Sequence, residues 1–430
     1  MRRREFLAIG GAAAAGFGAA PSLLDDLAER SFRYFWEQTD PKTGITRGRS
    51  RADGSPYPAE RRDVGSTGDT GFDVTAMLVG ADRGWITRAQ ARERVLATLK
   101  SFADGPVANE HGWFYHWINC KTGERTGATF DSAAMALPDG KNLKRPKSEV
   151  SVSDSTWLVL GALTARQYFH GDAGIAKLAT KIYERVDYQW MRNGHPTLLA
   201  HGWMPETGFL EARYDKYCQL AAMYLLGIAS PTHALPAASW RAWERNPNEY
   251  GGIRYIGTSL LWTYQYPFAW FDLRGRVESG TGIDWFANSA AATRAHRQFC
   301  IDLGYSDKLW GVTSSLSRTG YKAWGGPPKK GPIDGTVVPC AAAGSLMFTP
   351  ELSTAALEAM CGVAGVYGRY GFVDAFHPKS GWVAEDTIGL DVGITLLAAE
   401  NLRSGNVWKW FMANPEAQRA LELAGLERKK

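Results

Sequence analysis

The residues of this 430-residue chain best suited to chemistry are carboxylates set among aromatic side chains. Glu211, Asp215 and Gln219 fall at i, i+4 and i+8, so a helix through them carries all three on one face. The residues that follow, Leu220 to Ala229, are apolar nearly all round, the pattern of a buried helix. A polar stripe at the start of such a helix faces a cavity or solvent. Glu149 and Asp154 make a second group. Asp154 falls in the first turn of an expected helix, where the helix dipole favours a carboxylate with or without a chemical role. Glu206, in Trp203-Met204-Pro205-Glu206, also suits a surface turn. Asp386 and Asp391 flank Gly389 ahead of another helix, and Asp391 suits its N-cap as well as a base. Asp334 and Asp374 read as turn formers. Two carboxyl groups, one protonated and one ionised, are the usual machinery of glycoside hydrolysis, and their separation decides between retention and inversion.

The surroundings of these carboxylates fit a sugar. Seventeen Trp, seventeen Tyr and 47 Gly are present, and many aromatics stand beside polar residues, as in His111-Gly112-Trp113-Phe114-Tyr115-His116-Trp117. Aromatic faces pack on the C–H faces of sugars; they equally fill a large core, with Trp N–H and Tyr O–H groups finding partners. Other chemistries lack their marks. His111, His116, His201, His233 and His377 have no metal-ligand spacing, and the five cysteines are odd in number with no CxxC pair. No phosphate-cradling glycine motif, GxSxG or HExxH is present. No metal and no cofactor are expected. The net charge of +5 is spread over 49 basic and 44 acidic residues without a one-sign block, which argues against a nucleic-acid partner.

Helices must carry these groups. Period and capping signals predict them over 25–39, 67–83, 87–102, 153–169 (Ser151 or Ser153 as N-cap), 174–190, 214–229, 237–245, 284–303, 350–362, 392–403 and 407–423. Residues 109–120 read as an aromatic strand or loop and 138–146 as a polar loop. Long Gly- and aromatic-rich loops lie at 246–282, 304–345 and 366–389; loops of that length in a compact domain are usually functional. The chain opens Met1-Arg2-Arg3-Arg4-Glu5-Phe6-Leu7 and continues through a weakly apolar, small-residue run. This predicts a twin-arginine signal peptide over 1–20, export by the Tat machinery to the periplasm or beyond, and no membrane partner after its removal.

Several strings, in order, resemble one family: Phe32-Arg33-Tyr34-Phe35-Trp36, Ser148-Glu149-Val150-Ser151, His201-Gly202-Trp203-Met204-Pro205-Glu206, Ser230-Pro231-Thr232-His233, Trp310-Gly311-Val312-Thr313, Gly320-Tyr321-Lys322-Ala323-Trp324-Gly325, Tyr370-Gly371-Phe372-Val373-Asp374 and Gly389-Leu390-Asp391-Val392-Gly393. The chain is similar to the bacterial glycoamylase-like family, which includes endo-β-1,2-glucanases and a module of cyclic β-1,2-glucan synthases. The match starts near Phe32 and is densest over 201–410. The resemblance implies an all-α (α/α)6 toroid over 22–430, with long loops forming a cleft at one end, and metal-free hydrolysis of a glucan, most simply endo cleavage of β-1,2-glucan. Tyr217-Cys218-Gln219 departs from the family, which carries Tyr-Asn-Glu there. An amide cannot act as the acid. The catalytic residues are therefore sought among Glu211 (acid), Asp391 (base), Glu149, Asp154 and Glu206. Trp203, Tyr217, Gln219, His233, Trp310, Tyr321, Trp324 and Trp382 are the expected sugar contacts. A non-catalytic carbohydrate-binding relative, or a transglycosylase or phosphorylase acting on another polysaccharide, is the alternative.

Overall fold

The computed structural model describes residues 22–127, 147–328 and 331–429. The expected signal peptide and the polar loop at 138–146 lie outside the described residues. The longer helices are α1 (Leu23–Gln38), α2 (Thr67–Asp82), α3 (Arg88–Ala103), α4 (Val152–Tyr168), α5 (Ala173–Glu184), α6 (Leu220–Ala229) and α7 (Trp285–Asp302), followed by α8 (Pro339–Ala343), α9 (Pro350–Cys361), α10 (Gly389–Arg403), α11 (Asn406–Met412) and α12 (Pro415–Ala424).

Burial sorts the helices into two layers. Helices α2, α4 and α6 are buried on nearly every face, as are α8 with the 3-10 turn Gly344–Met347 after it and most of α10. The 3-10 pair Leu261–Tyr264 and Tyr266–Ala269 completes an inner set of six. Helices α1, α3, α5, α7, α9 and α12 bury one side and form the outer layer. The architecture is an (α/α)6 toroid. The inner layer is tight because small residues let backbones touch. A side chain on Gly161 of α4 would begin 2.2 Å from the Gly71 carbonyl oxygen of α2, so only glycine allows that crossing.

Short ladders gather the starts of three inner helices at one end. Val64–Ser66 pairs antiparallel with Trp117–Asn119 ahead of α2. Val150–Ser151 pairs with Gly202–Trp203 ahead of α4. Asp386–Ile388 pairs with Arg49–Arg51 ahead of α10. Ser66 and Ser151 cap α2 and α4, each accepting a hydrogen bond from the N–H three residues on. His116 joins the first two ladders: its N–H donates to the Glu149 carbonyl (2.9 Å) and its carbonyl accepts from the Thr67 N–H (3.1 Å).

Several expectations need correction, among them the helix expected over 174–190, which ends at Glu184 before a separate turn at Tyr188–Met191, and that over 237–245, which is a 3-10 turn at Ala237–Arg241. Helix α6 starts at Leu220, not Tyr214. Residues 211–219 spend their backbone groups elsewhere: His201 N–H bonds to Ala212, Tyr214 N–H to Leu199, Tyr217 N–H to Glu244 and Glu244 N–H to Asp215. Glu211, Asp215 and Gln219 therefore share no helical face. The span 407–423 is two helices, because Pro415 starts α12 and the Asn414 amide turns inward to the Leu163 and Phe411 carbonyls. Ile388, without a side-chain bond, stands at the N-cap of α10, and Asp391 lies inside its first turn. The long loops at 246–282 and 304–345 contain inner-layer elements, the 3-10 pair at 261–269 and helix α8.

Candidate active site

The ladders bring carboxyl groups from α2, α4 and α10 together at the mouth. The imidazole of His116 sits between two of them, with Nδ1 3.5 Å from Glu149 Oε1 and Nε2 3.7 Å from Asp154 Oδ1. Its ring stacks on Trp117, with centroids 4.2 Å apart and planes 17° apart. Burial works against a charge on this ring, but Asp154 and Glu149 outweigh it and raise the pKa to about 9. His116 is thus an imidazolium at neutral pH, clamped by carboxylates.

Asp69, on the first turn of α2, lies next to this group and is fully buried. Burial pushes its carboxyl up to about 8, with Asp154 adding to the rise. Two glycines make room for the pair. A side chain on Gly68 would begin 2.3 Å from Asp154 Oδ1, and one on Gly389 would begin 2.0 Å from Asp69 Oδ1. The carboxyls therefore sit in cradles that any larger residue would fill.

Asp391, two residues beyond Gly389, is half-buried and continues the chain of acids. Burial raises its pKa, against hydrogen bonds from Asp374, Cys340 and the Tyr266 hydroxyl that favour the ionised form. The Tyr266 bond spans 3.3 Å. Asp374 is buried, and burial and then the facing Asp391 hold its carboxyl well above the usual range. Asp374 Oδ2 accepts the Leu316 N–H (2.5 Å), while Oδ1 has no other partner. Asp374 is the member pushed higher, and its hydrogen bond to Asp391 favours the ionised form of Asp391.

The expected site residues fall into two sets. Glu149, Asp154 and Asp391 converge on the mouth. Glu206 and Glu211 are exposed instead. Glu206 makes a bidentate pair with Arg125 at 2.6 and 2.9 Å. Glu211 is exposed just after the short strand Gly208–Phe209, without the burial that a raised acid needs. Among the expected sugar contacts, Trp203, Tyr321 and Trp382 are partly exposed in hairpins, and Gln219 is half-buried at the start of α6. Three aromatics are core instead. Trp310 is 0% exposed, Trp324 is buried with Nε1 donating to Ser315 Oγ (2.9 Å), and Tyr217 lies buried against Trp285. None of these three offers a face to a sugar. His233 lies beyond α6, where its Nδ1 is 3.7 Å from Asp187 Oδ1, and it shares no partner with the carboxyl group.

Sequence reasoning passed over Asp69, His116, Cys340 and Tyr266, and took Asp374 for a turn former. Asp69 had a signal, one of two carboxylates, with Asp73, inside the otherwise uncharged run 64–81. His116 was weighed only as a metal ligand. Among the described residues, no group of three or more His, Cys, Asp or Glu is placed to hold a metal ion.

A family model named Glycoamylase, described as "Putative glucoamylase", matches residues 211–415. An exo-β-1,2-glucooligosaccharide sophorohydrolase (non-reducing end) of Parabacteroides distasonis is 27% identical over 93% of this chain. The chain spans 57% of that relative's length. An endo-β-1,2-glucanase of Chitinophaga pinensis, solved with sophorotriose and glucose, superposes with a TM-score of 0.81 at 28% identity, covering 95% of this chain and 99% of that one. A structure from Bacteroides uniformis described as a "putative glucoamylase" gives 0.83 at 28% identity, covering 94% and 97%.

Proposed function

We propose that this chain, glycoamylase-like in sequence and an (α/α)6 toroid in fold, is a glycoside hydrolase acting on β-1,2-linked glucan, with residues 22–430 as one catalytic domain. The observation that carries the reading is the line of carboxyl groups, Glu149 and Asp154 through Asp69 to Asp391, at the mouth where three inner helices begin. The similar proteins named for β-1,2-glucan and its oligosaccharides support that substrate.

Asp391 suits the base. It is half-buried and accepts hydrogen bonds from three donors that favour its ionised form, so it can take a proton from water attacking the anomeric carbon. The proton for the leaving oxygen is drawn from the Glu149–Asp154 group, because the amide of Gln219 can supply none. Trp203, Tyr321 and Trp382 are the sugar platforms. The string at Arg3-Arg4 supports Tat-dependent export and action outside the cytoplasm. Endo attack is the leading mode.

Incubating the mature protein with β-1,2-glucan, other β-glucans and α-glucans, followed by chromatography of the products, tests this. Short β-1,2-linked oligosaccharides from the first substrate alone are expected. Gln219 favours one second reading, a protein that binds the glucan without cutting it. Tight binding with no products, and cleavage gained in Gln219→Glu, is the result that would select it.

A further inference from the structure

The reaction proposed above needs a proton at the leaving oxygen, and residue 219, an amide, has none to give. We infer that His116 is the proton donor, with Glu149 and Asp154 as the carboxylates that position it. The inference rests on the hydrolase reading of this site.

Geometry favours His116 within its own group. Its side chain is 23% exposed, against 14% for Glu149 and 6% for Asp154, so the imidazole is the member most open to a ligand. Its nitrogens stand 3.5 and 3.7 Å from the carboxylate oxygens, longer than a normal hydrogen bond. Both contacts are long, so either N–H can be given up to an entering oxygen. Stacking on Trp117 fixes the ring plane, and the backbone bonds to Glu149 and Thr67 fix its base. The charge persists at neutral pH because Asp154 and Glu149 outweigh the cost of burial.

The step balances. The bond from the anomeric carbon to the leaving sugar oxygen breaks, and that oxygen takes a proton from His116. Water adds its oxygen to the anomeric carbon and gives its proton to Asp391. Exchange with solvent returns a proton to His116 and removes one from Asp391. No oxidant, metal or further reactant takes part.

Two substrates separate a proton donor from a structural residue: a β-1,2-glucooligosaccharide, and the 2,4-dinitrophenyl glycoside of a shorter one, whose leaving group departs without a proton. His116→Gln should lower turnover of the oligosaccharide by about 100-fold or more, the usual scale of general acid catalysis, and change the aryl glycoside only a few-fold. Asp391→Asn should lower both. Each ratio is read on one preparation, so partial unfolding cancels, and His116→Asn repeats it with a smaller amide. If both substrates slow equally in both His116 variants, or neither slows, His116 is not the donor and the hydrolase reading stands. If the unaltered protein cleaves neither substrate, the hydrolase reading falls and the inference with it.

Discussion

Asp69→Asn should make the protein more stable at alkaline pH while leaving it nearly unchanged in mild acid. Asp69 is 1% exposed, and its Oδ1 has no hydrogen-bond partner. Burial lifts its carboxyl from 3.8 to about 8, with the neighbouring Asp154 adding to the rise. Between those two values the folded protein holds a proton that the unfolded chain releases, so stability falls as pH rises through the window. A rise of about 4 pH units corresponds to a ceiling of about 6 kcal/mol. Local relaxation and water entry reduce this, and on the order of 2 kcal/mol should remain. Asparagine has nearly the same shape, fits the cradle beside Gly389 and cannot ionise. Urea denaturation of both proteins at pH 5 and pH 9 reads the effect. The unaltered protein should lose about 2 kcal/mol more than the variant between the two conditions, and the two should agree within about 1 kcal/mol at pH 5. Equal losses, or a variant less stable at pH 9, would refute the claim that this carboxyl is held protonated by burial.

Other outcomes follow from the same geometry. Gly389→Ala puts a methyl 2.0 Å from Asp69 Oδ1 and 3.0 Å from Tyr34 Cε1, so thermal unfolding should show about 1–3 kcal/mol of destabilisation and assays a loss of turnover beyond it. Glu206→Gln and Glu211→Gln alter exposed groups, and glucan cleavage by either variant should match the unaltered protein; a large loss would return that residue to the site. Replacing Arg3 and Arg4 by Lys should keep the protein in the cytoplasm, as immunoblots of cell fractions would show; normal periplasmic accumulation would contradict the Tat assignment.

The helices that stand on local signals were legible in the sequence. Ser151 caps α4 and Asp284 caps α7, each where period and capping predict a start. Elements created by tertiary packing were not. The inner 3-10 pair at 261–269 is rich in Trp, Tyr and Pro, poor material for an isolated helix, and forms because the core closes round it. Residues 214–219 have helical periodicity, yet pairing with 199–201 and 244 claims their backbone groups. The site divides the same way. Asp391 and Glu149 lie in strings that carry the family resemblance. Asp374 read as a turn former and is a buried carboxyl facing Asp391, a pairing made across the fold. Trp310 and Trp324 show the limit of counting aromatics, because a loop tryptophan can be core as readily as sugar platform.

The most direct test of the central claim compares the mature protein with its Asp391→Asn variant on β-1,2-linked glucooligosaccharides, with chromatography of the products over time. The account predicts β-1,2-linked products from the unaltered protein and a rate lower by about 100-fold or more in the variant. Failure of the unaltered protein to cleave the substrate, or an undiminished rate in a folded Asp391→Asn variant, would contradict it.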